Sequence, residues 1–343
     1  MSSAAFTITS VGLVTSIGLS ARDTCAAIRA KVANPVETRF TDSRGQWIVG
    51  HQVVLDEGWR DLRKLAKMAA LSIDEALQGV PAEQWSTIPL LLCVAEAERP
   101  GRIAGLDTDL FPMIQAELGV QFSPRSSAIA HGRVSVGVAM HHARRLMTEF
   151  GVQRVLIAAT DSLLTWPTLS SLDASGRLLT ERNANGFIPG EAAGALLLSD
   201  ASSSVAGLHC VGIGFGREPA FLNSGEPQRA DGLTSAFKAA LDEAACGIQE
   251  LDFRITDLAG EHYYFKEAAL AVSRTLRVRK EEFDIWHPAE CIGEVGAAAG
   301  AAIIALADTA CRKHYAKGPR ILAHMGNDAG ARTALVLQYR AQA

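Results

Sequence analysis

Apolar positions in residues 125–200 fall into one connected pattern. A run of small residues ends at His131-Gly132 and passes into Val134, Val138, Met140, Ala143, Leu146 and Met147, spaced as on one helix face. A strand, a tight bend and a helix are predicted there. The stretch VQRVLIAATDSLL that follows holds a four-to-seven-residue aliphatic and β-branched run, the pattern of a strand buried on both faces of a parallel sheet. After a polar loop, GEAAGALLLSD closes the segment with a second apolar strand.

The same alternation runs along the rest of the chain. A first strand is predicted over 6–13, then a helix over 21–31 with Ser20 and Asp23 at its start. Residues 33–58 carry mixed polar, glycine and aromatic signals and predict a loop with one short strand near 47–54. Helices are expected over 60–80 and 107–118, with a buried strand over 88–94 between them. Beyond Asp200 the order begins again: strand 207–215, helix 235–246 capped by Thr234, strand 253–259, and helix 265–276. A glycine-alanine helix over 293–312 and strands over 320–324 and 332–339 complete it. Strands alternating with helices predict the α/β class, and the repeated order predicts two halves, 1–200 and 201–343, in one compact unit.

Composition narrows the functions. The net charge of −4 is spread over interspersed signs, so there is no basic footprint and no nucleic acid partner is expected. The longest small or apolar run, 295–307, is too short for a bilayer, and no leader pattern opens the chain, which predicts a cytoplasmic protein without a membrane partner. Cysteines 25, 93, 210, 246, 291 and 311 form no CxxC pair and predict buried, reduced thiols. His141 and His142 are adjacent on a helix and cannot face one ligand, so neither a metal nor a cofactor is expected.

Two strings carry a resemblance. TITSVGLVTSIGLSARDTCAAIRAK (7–31) and AATDSLL with RNANGFIPGEAAGALLL (182–198) resemble the β-ketoacyl synthase branch of the thiolase-like condensing enzymes. The resemblance implies a thiolase-like fold, two βαβαβαββ halves in a layered α/β/α/β/α sandwich. It also implies a nucleophilic cysteine at a helix N-terminus, where the dipole favours thiolate, and two histidines beside the carbonyl oxygen that becomes negative. Here the nucleophile position falls on Arg133 or Val134, the first histidine on Gly260, the second at or beside Gly293, and a lysine of the family on Pro288. All four residue types are replaced.

The resemblance therefore implies a catalytically inactive protein that uses the scaffold for binding. It extends to short, stripped synthase-like proteins encoded with type VI secretion effectors and adaptors, which implies an accessory chaperone whose partners are an adaptor and its effector. It further implies a homodimer through the edge strand at 126–130. A different class of function is an acyltransferase with Ser135 as nucleophile and His131, His262 or Glu261 as base, or a chain-length-factor-like subunit of an active condensing enzyme. Asp161 and Ser162 are expected to be structural, and 181–185 a solvated turn.

Overall fold

The computed structural model describes residues 5–56, 58–200 and 206–341. β1 (Phe6–Val14) leads to α1 (Ala21–Arg29), whose start is fixed by the Ser20 hydroxyl accepting the amide of Asp23. Among the described residues the 33–58 segment holds two strands, not one: β2 (Val36–Thr41) and β3 (Trp47–Gly50) pair as a separate hairpin. β2 has one buried residue, Thr38, so no apolar alternation announces it. Next come α2 (Asp61–Leu77), α3 (Ala82–Trp85), β4 (Leu90–Cys93), α4 (Leu110–Leu118) and β5 (Ser127–Ile129). A 3-10 turn, Gly132–Val134, runs into α5 (Ser135–Phe150), followed by β6 (Arg154–Ser162), α6 (Trp166–Ala174) and β7 (Glu191–Asp200).

α6 is an addition to the elements predicted from the pattern. Thr165 caps it and Pro167 stands in its first turn, but only Thr168 and Leu169 are buried, too few to leave a periodic signal.

The second half follows with β8 (Gly207–Arg217), α7 (Asp231–Glu243), β9 (Phe253–Thr256), α8 (His262–Thr275), β10 (Ile285–Trp286) and α9 (Ala289–Ile292). A second 3-10 turn, Gly296–Ala298, leads into α10 (Ala299–Arg312), β11 (Arg320–Gly326) and β12 (Ala331–Arg340). Three helix starts in this half differ from expectation, as α4 does in the first half by starting at Leu110 and not at 107. α7 begins at Asp231 after Ala230 in the left-handed region, so Thr234 is a buried residue inside the helix and not its cap. α8 begins at His262, because the Asn185 side chain takes that residue's amide. α10 begins at Ala299, because Gly293 and Gly296 adopt positive φ and break the predicted helix.

The main sheet has the order β10-β9-β11-β12-β8-β1-β7-β6-β4-β5. Read outward from its middle, each section of five runs first, fifth, fourth, second, third in chain order. The sections meet at β1 and β8, where Phe6, Thr7 and Ile8 pair with Cys210, His209 and Leu208. Both faces of each section are buried. Leu91, Cys93 and Ile157 from one section and Ile321, Leu335 and Leu337 from the other pack on α1, α5 and α10 in a shared central layer. The alternate residues Leu90, Leu92 and Leu156 face α2 and α4, while Leu322, Ala334 and Val336 face α7 and α8. This is the layered α/β/α/β/α arrangement, and burial on both faces is why these strands read as unbroken apolar runs. α10 is buried all round up to Arg312, which small residues permit. No helix among the described residues is long and apolar enough to cross a membrane.

Candidate functional site

The bend before α5 is shaped by a near contact. Gly132 has φ +57°, a left-handed conformation that favours glycine, and a Cβ there would lie 2.0 Å from the Glu96 carboxylate. The next residue, Arg133, sends its side chain back into the protein, where it is about one-tenth exposed. Three carboxylates from three elements surround its guanidinium: Asp328, in the turn between β11 and β12, at 2.8 Å; Glu294, ahead of α10, at 3.3 Å; and Asp257, at the end of β9, at 3.9 Å. The guanidinium also lies over the Tyr264 ring, 4.5 Å from its centroid.

The network continues outward. Arg177 forks onto Glu261 at 2.8 and 2.7 Å and reaches Asp328 at 2.6 Å, and the Tyr264 hydroxyl donates to the same Asp328. Asp161 is gripped by Arg99 at 2.6 and 2.7 Å and accepts the amide of Ala297 at 2.8 Å, fixing the start of the second 3-10 turn. Asp161 thus has a positioning contact of the structural kind expected from the sequence. A pocket of about 290 Å³ opens beside the network, lined by Glu96, Arg99, Arg133, Glu294 and Asp328 on one side and Leu172 and Phe187 on the other.

Three guanidiniums, Arg99, Arg133 and Arg177, pair with five carboxylates here, Asp161, Asp257, Glu261, Glu294 and Asp328, and a sixth, Glu96, lines the same pocket. Burial opposes the charge on Arg133, but Tyr264 and the acids around it overcome that and hold its pKa well above the usual value. Burial pushes the Glu294 carboxyl up to about 7, against the pull of Arg133 and with the help of Asp257. Asp257 and Glu96 are raised for the same first reason, burial, while Arg133 and Arg177 outweigh burial at Asp328 and hold it well below the carboxylate range.

The other positions singled out by sequence are held by backbone packing. Val134 is buried within the first 3-10 turn. Gly260 lies against the Gly186 carbonyl, 2.4 Å from where its Cβ would be, and Gly293 against the Ile188 carbonyl and the His51 ring at 2.7 and 2.8 Å. Pro288 precedes α9. Ser135 is fully buried; its hydroxyl accepts the His131 amide at 2.9 Å and faces the carbonyls of Ile129 and Val94 at 3.2 and 3.3 Å. His262 is exposed at the head of α8 and Glu261 is committed to Arg177, so the structure does not bring a base to Ser135 from either. Arg99, Arg177, Asp257, Glu294 and Asp328 went unmarked in the sequence. The available signal was a lone acid inside an apolar stretch, as in RITDLAG and ECIGEVGAAAG, because a buried charge needs a partner.

Solved structures share this architecture end to end. A ketosynthase in complex with its chain length factor from Xenorhabdus doucetiae superposes with a TM-score of 0.79 at 13% identity, covering 98% of both chains. A type II polyketide acyl-carrier protein and ketosynthase complex gives 0.81 at 15% identity, over 98% of this chain and 99% of that one. A β-ketoacyl synthase from Burkholderia phymatum gives 0.78 at 13%, over 98% and 100%. The chain has the thiolase-like ketosynthase fold. No family of known sequences and no curated protein matches it by sequence. Within the ketosynthase fold, the head of α5 is where the sequence resemblance places the nucleophile, and there Arg133 stands among its carboxylates. β5, the strand before it, ends the sheet on that side and, among the described residues, pairs with β4 alone.

Proposed function

We propose that this chain is a catalytically silent ketosynthase-fold protein that works by binding another protein in the cytoplasm, as an accessory chaperone for the loading of a type VI secretion effector through its adaptor. One observation carries the silence: the position expected to hold a thiolate holds a buried guanidinium tied to Glu294, Asp257 and Asp328. A guanidinium stays protonated and offers no lone pair for acyl transfer. Losing an oxyanion donor costs roughly 10² to 10³ in rate, and losing the nucleophile on the order of 10⁶. Gly260 and Gly293, at the two histidine positions, supply no side chain that could compensate.

Incubation with malonyl- and acyl-loaded acyl-carrier protein, followed by intact-mass measurement, is expected to leave the chain unmodified. An ester adduct that turns over and disappears in Ser135→Ala would overturn the reading in favour of an acyltransferase. The binding half is tested separately, by co-expressing the chain with a type VI adaptor and its effector and following co-elution; separate elution of all three would sink the chaperone role. Pairing of two copies along the open edge of β5 belongs to the same reading, and light scattering at micromolar concentration is expected to give twice the chain mass.

A second reading, a chain-length-factor-like subunit, is favoured by two of the similar structures being complexes of a ketosynthase with a chain length factor. Stable co-elution with an active ketosynthase, in place of the adaptor, would select it.

A further inference from the structure

The network at the head of α5 has one guanidinium among three carboxylates, and the three differ in freedom to move. Asp257 is 4% exposed and pinned by the amide of Gly326 at 3.0 Å. Glu294 is 7% exposed and pinned by the amide of Gly296 at 2.9 Å. Asp328 is 41% exposed and sits in the short turn between β11 and β12, so of the three it alone already reaches water.

We propose that Glu294, Arg133 and the turn carrying Asp328 form a proton-operated latch, in which loss of the Glu294 proton frees the β11–β12 turn and opens the pocket beside it. With Glu294 neutral, Arg133 and Arg177 together balance all but one of the charges on Asp257, Asp328 and Glu261. Once Glu294 ionises, it competes for Arg133 and repels Asp328 and Asp257. Asp328 is then displaced outward, taking Arg177 with it.

The other charged neighbours do not relieve this. Glu96 lines the same pocket and adds negative charge when ionised, while Arg99 is committed to Asp161. On the far side, His51 packs against Gly293, and burial lowers its pKa to about 4, which keeps it neutral. Tyr264, from α8, donates to Asp328 and contributes no counter-charge.

A rival sits on the same turn. Arg332 donates to the Asn327 carbonyl at 2.7 Å and pairs with Glu267, whose carboxyl burial also pushes up to about 7. The experiment must separate the two carboxyls.

Opening exposes the Glu294 carboxyl, which then ionises from about pH 4.3 upward, while the closed carboxyl keeps its proton to about 7. Between those values each pH unit favours the open form about tenfold, and above 7 the effect levels off. Hydrogen–deuterium exchange of 326–331, referenced to residues of β7 in the same sample, reads this directly. In the wild-type chain, protection of the turn is expected to fall about tenfold per pH unit from 5.5 to 7 and then flatten. Glu294→Gln, which keeps the acceptor for Gly296, is expected to remove the slope, and Glu267→Gln to keep it. Asp257→Asn takes a negative neighbour from Glu294, lowers its pKa and is expected to bring the plateau to lower pH. A flat wild-type profile, a slope that survives Glu294→Gln, or one abolished by Glu267→Gln would each overturn the latch.

Discussion

Replacing Arg133 by methionine is expected to lower the free energy of unfolding by about 3–5 kcal/mol at pH 8, read from urea denaturation. Methionine fills much of the same space, so the loss is electrostatic and not a cavity effect. Asp257 and Glu294 are fixed by backbone amides and cannot turn to another partner, which leaves two carboxyls without their guanidinium. At pH 5 the loss is expected to shrink, because both already have raised pKa values and take up protons in the folded state. The exposed pair Arg145–Glu149 on α5 is the control: Arg145→Met should leave the urea midpoint where it was. If Arg133→Met behaves like that control, the network does not hold the head of α5 and Arg133 is an incidental occupant.

The contrast between these two arginines shows why the fold was more legible in the sequence than the site. Strands such as β6 and β7 are buried on both faces, and that condition writes itself locally as an apolar run. The glycine-alanine composition of α10 likewise follows from its place between the two sections of the sheet. Where tertiary contact sets the structure, the local pattern fails. β2 presents one buried residue and α6 two, and the Gly293 and Gly296 backbones reset the start of α10. Arg133 stands out in the sequence at the expected nucleophile position, but its partners Glu294 and Asp328 lie 161 and 195 residues away, and nothing in a single sequence pairs them. Separation along the chain also hides Arg177, 84 and 151 residues from Glu261 and Asp328, in an ordinary polar loop. Ser135 was legible as a helix-start residue; its contacts with Ile129 and Val94 show which backbone it holds.

Gly214→Ala is expected to cost about 3 kcal/mol and to reduce the yield of folded protein, for a reason that joins sequence to fold directly. Gly212, Gly214 and Gly216 alternate along β8 and so share one face. On α7, Gly232, Ala236 and Ala240 recur every four residues and share one side. Each glycine receives one of those carbonyl oxygens: a Cβ would stand 2.1 Å from Ala240, 2.0 Å from Ala236 and 2.0 Å from Gly232. These are backbone atoms, so no rotamer change can yield. The strand cannot retreat either, because β12 pairs with β8 along 207–217, with Ala334 opposite Gly214. A single methyl group must therefore push α7 off the sheet along its length. Gly79, after α2, has no atom within 4 Å of a built Cβ, and Gly79→Ala is expected to be neutral or to stabilise by about 0.4–1 kcal/mol through the unfolded chain. Equal urea midpoints for the two variants would mean that α7 rides loosely on β8, and the close helix-to-sheet contact built by the glycine row would not be what holds the outer layer.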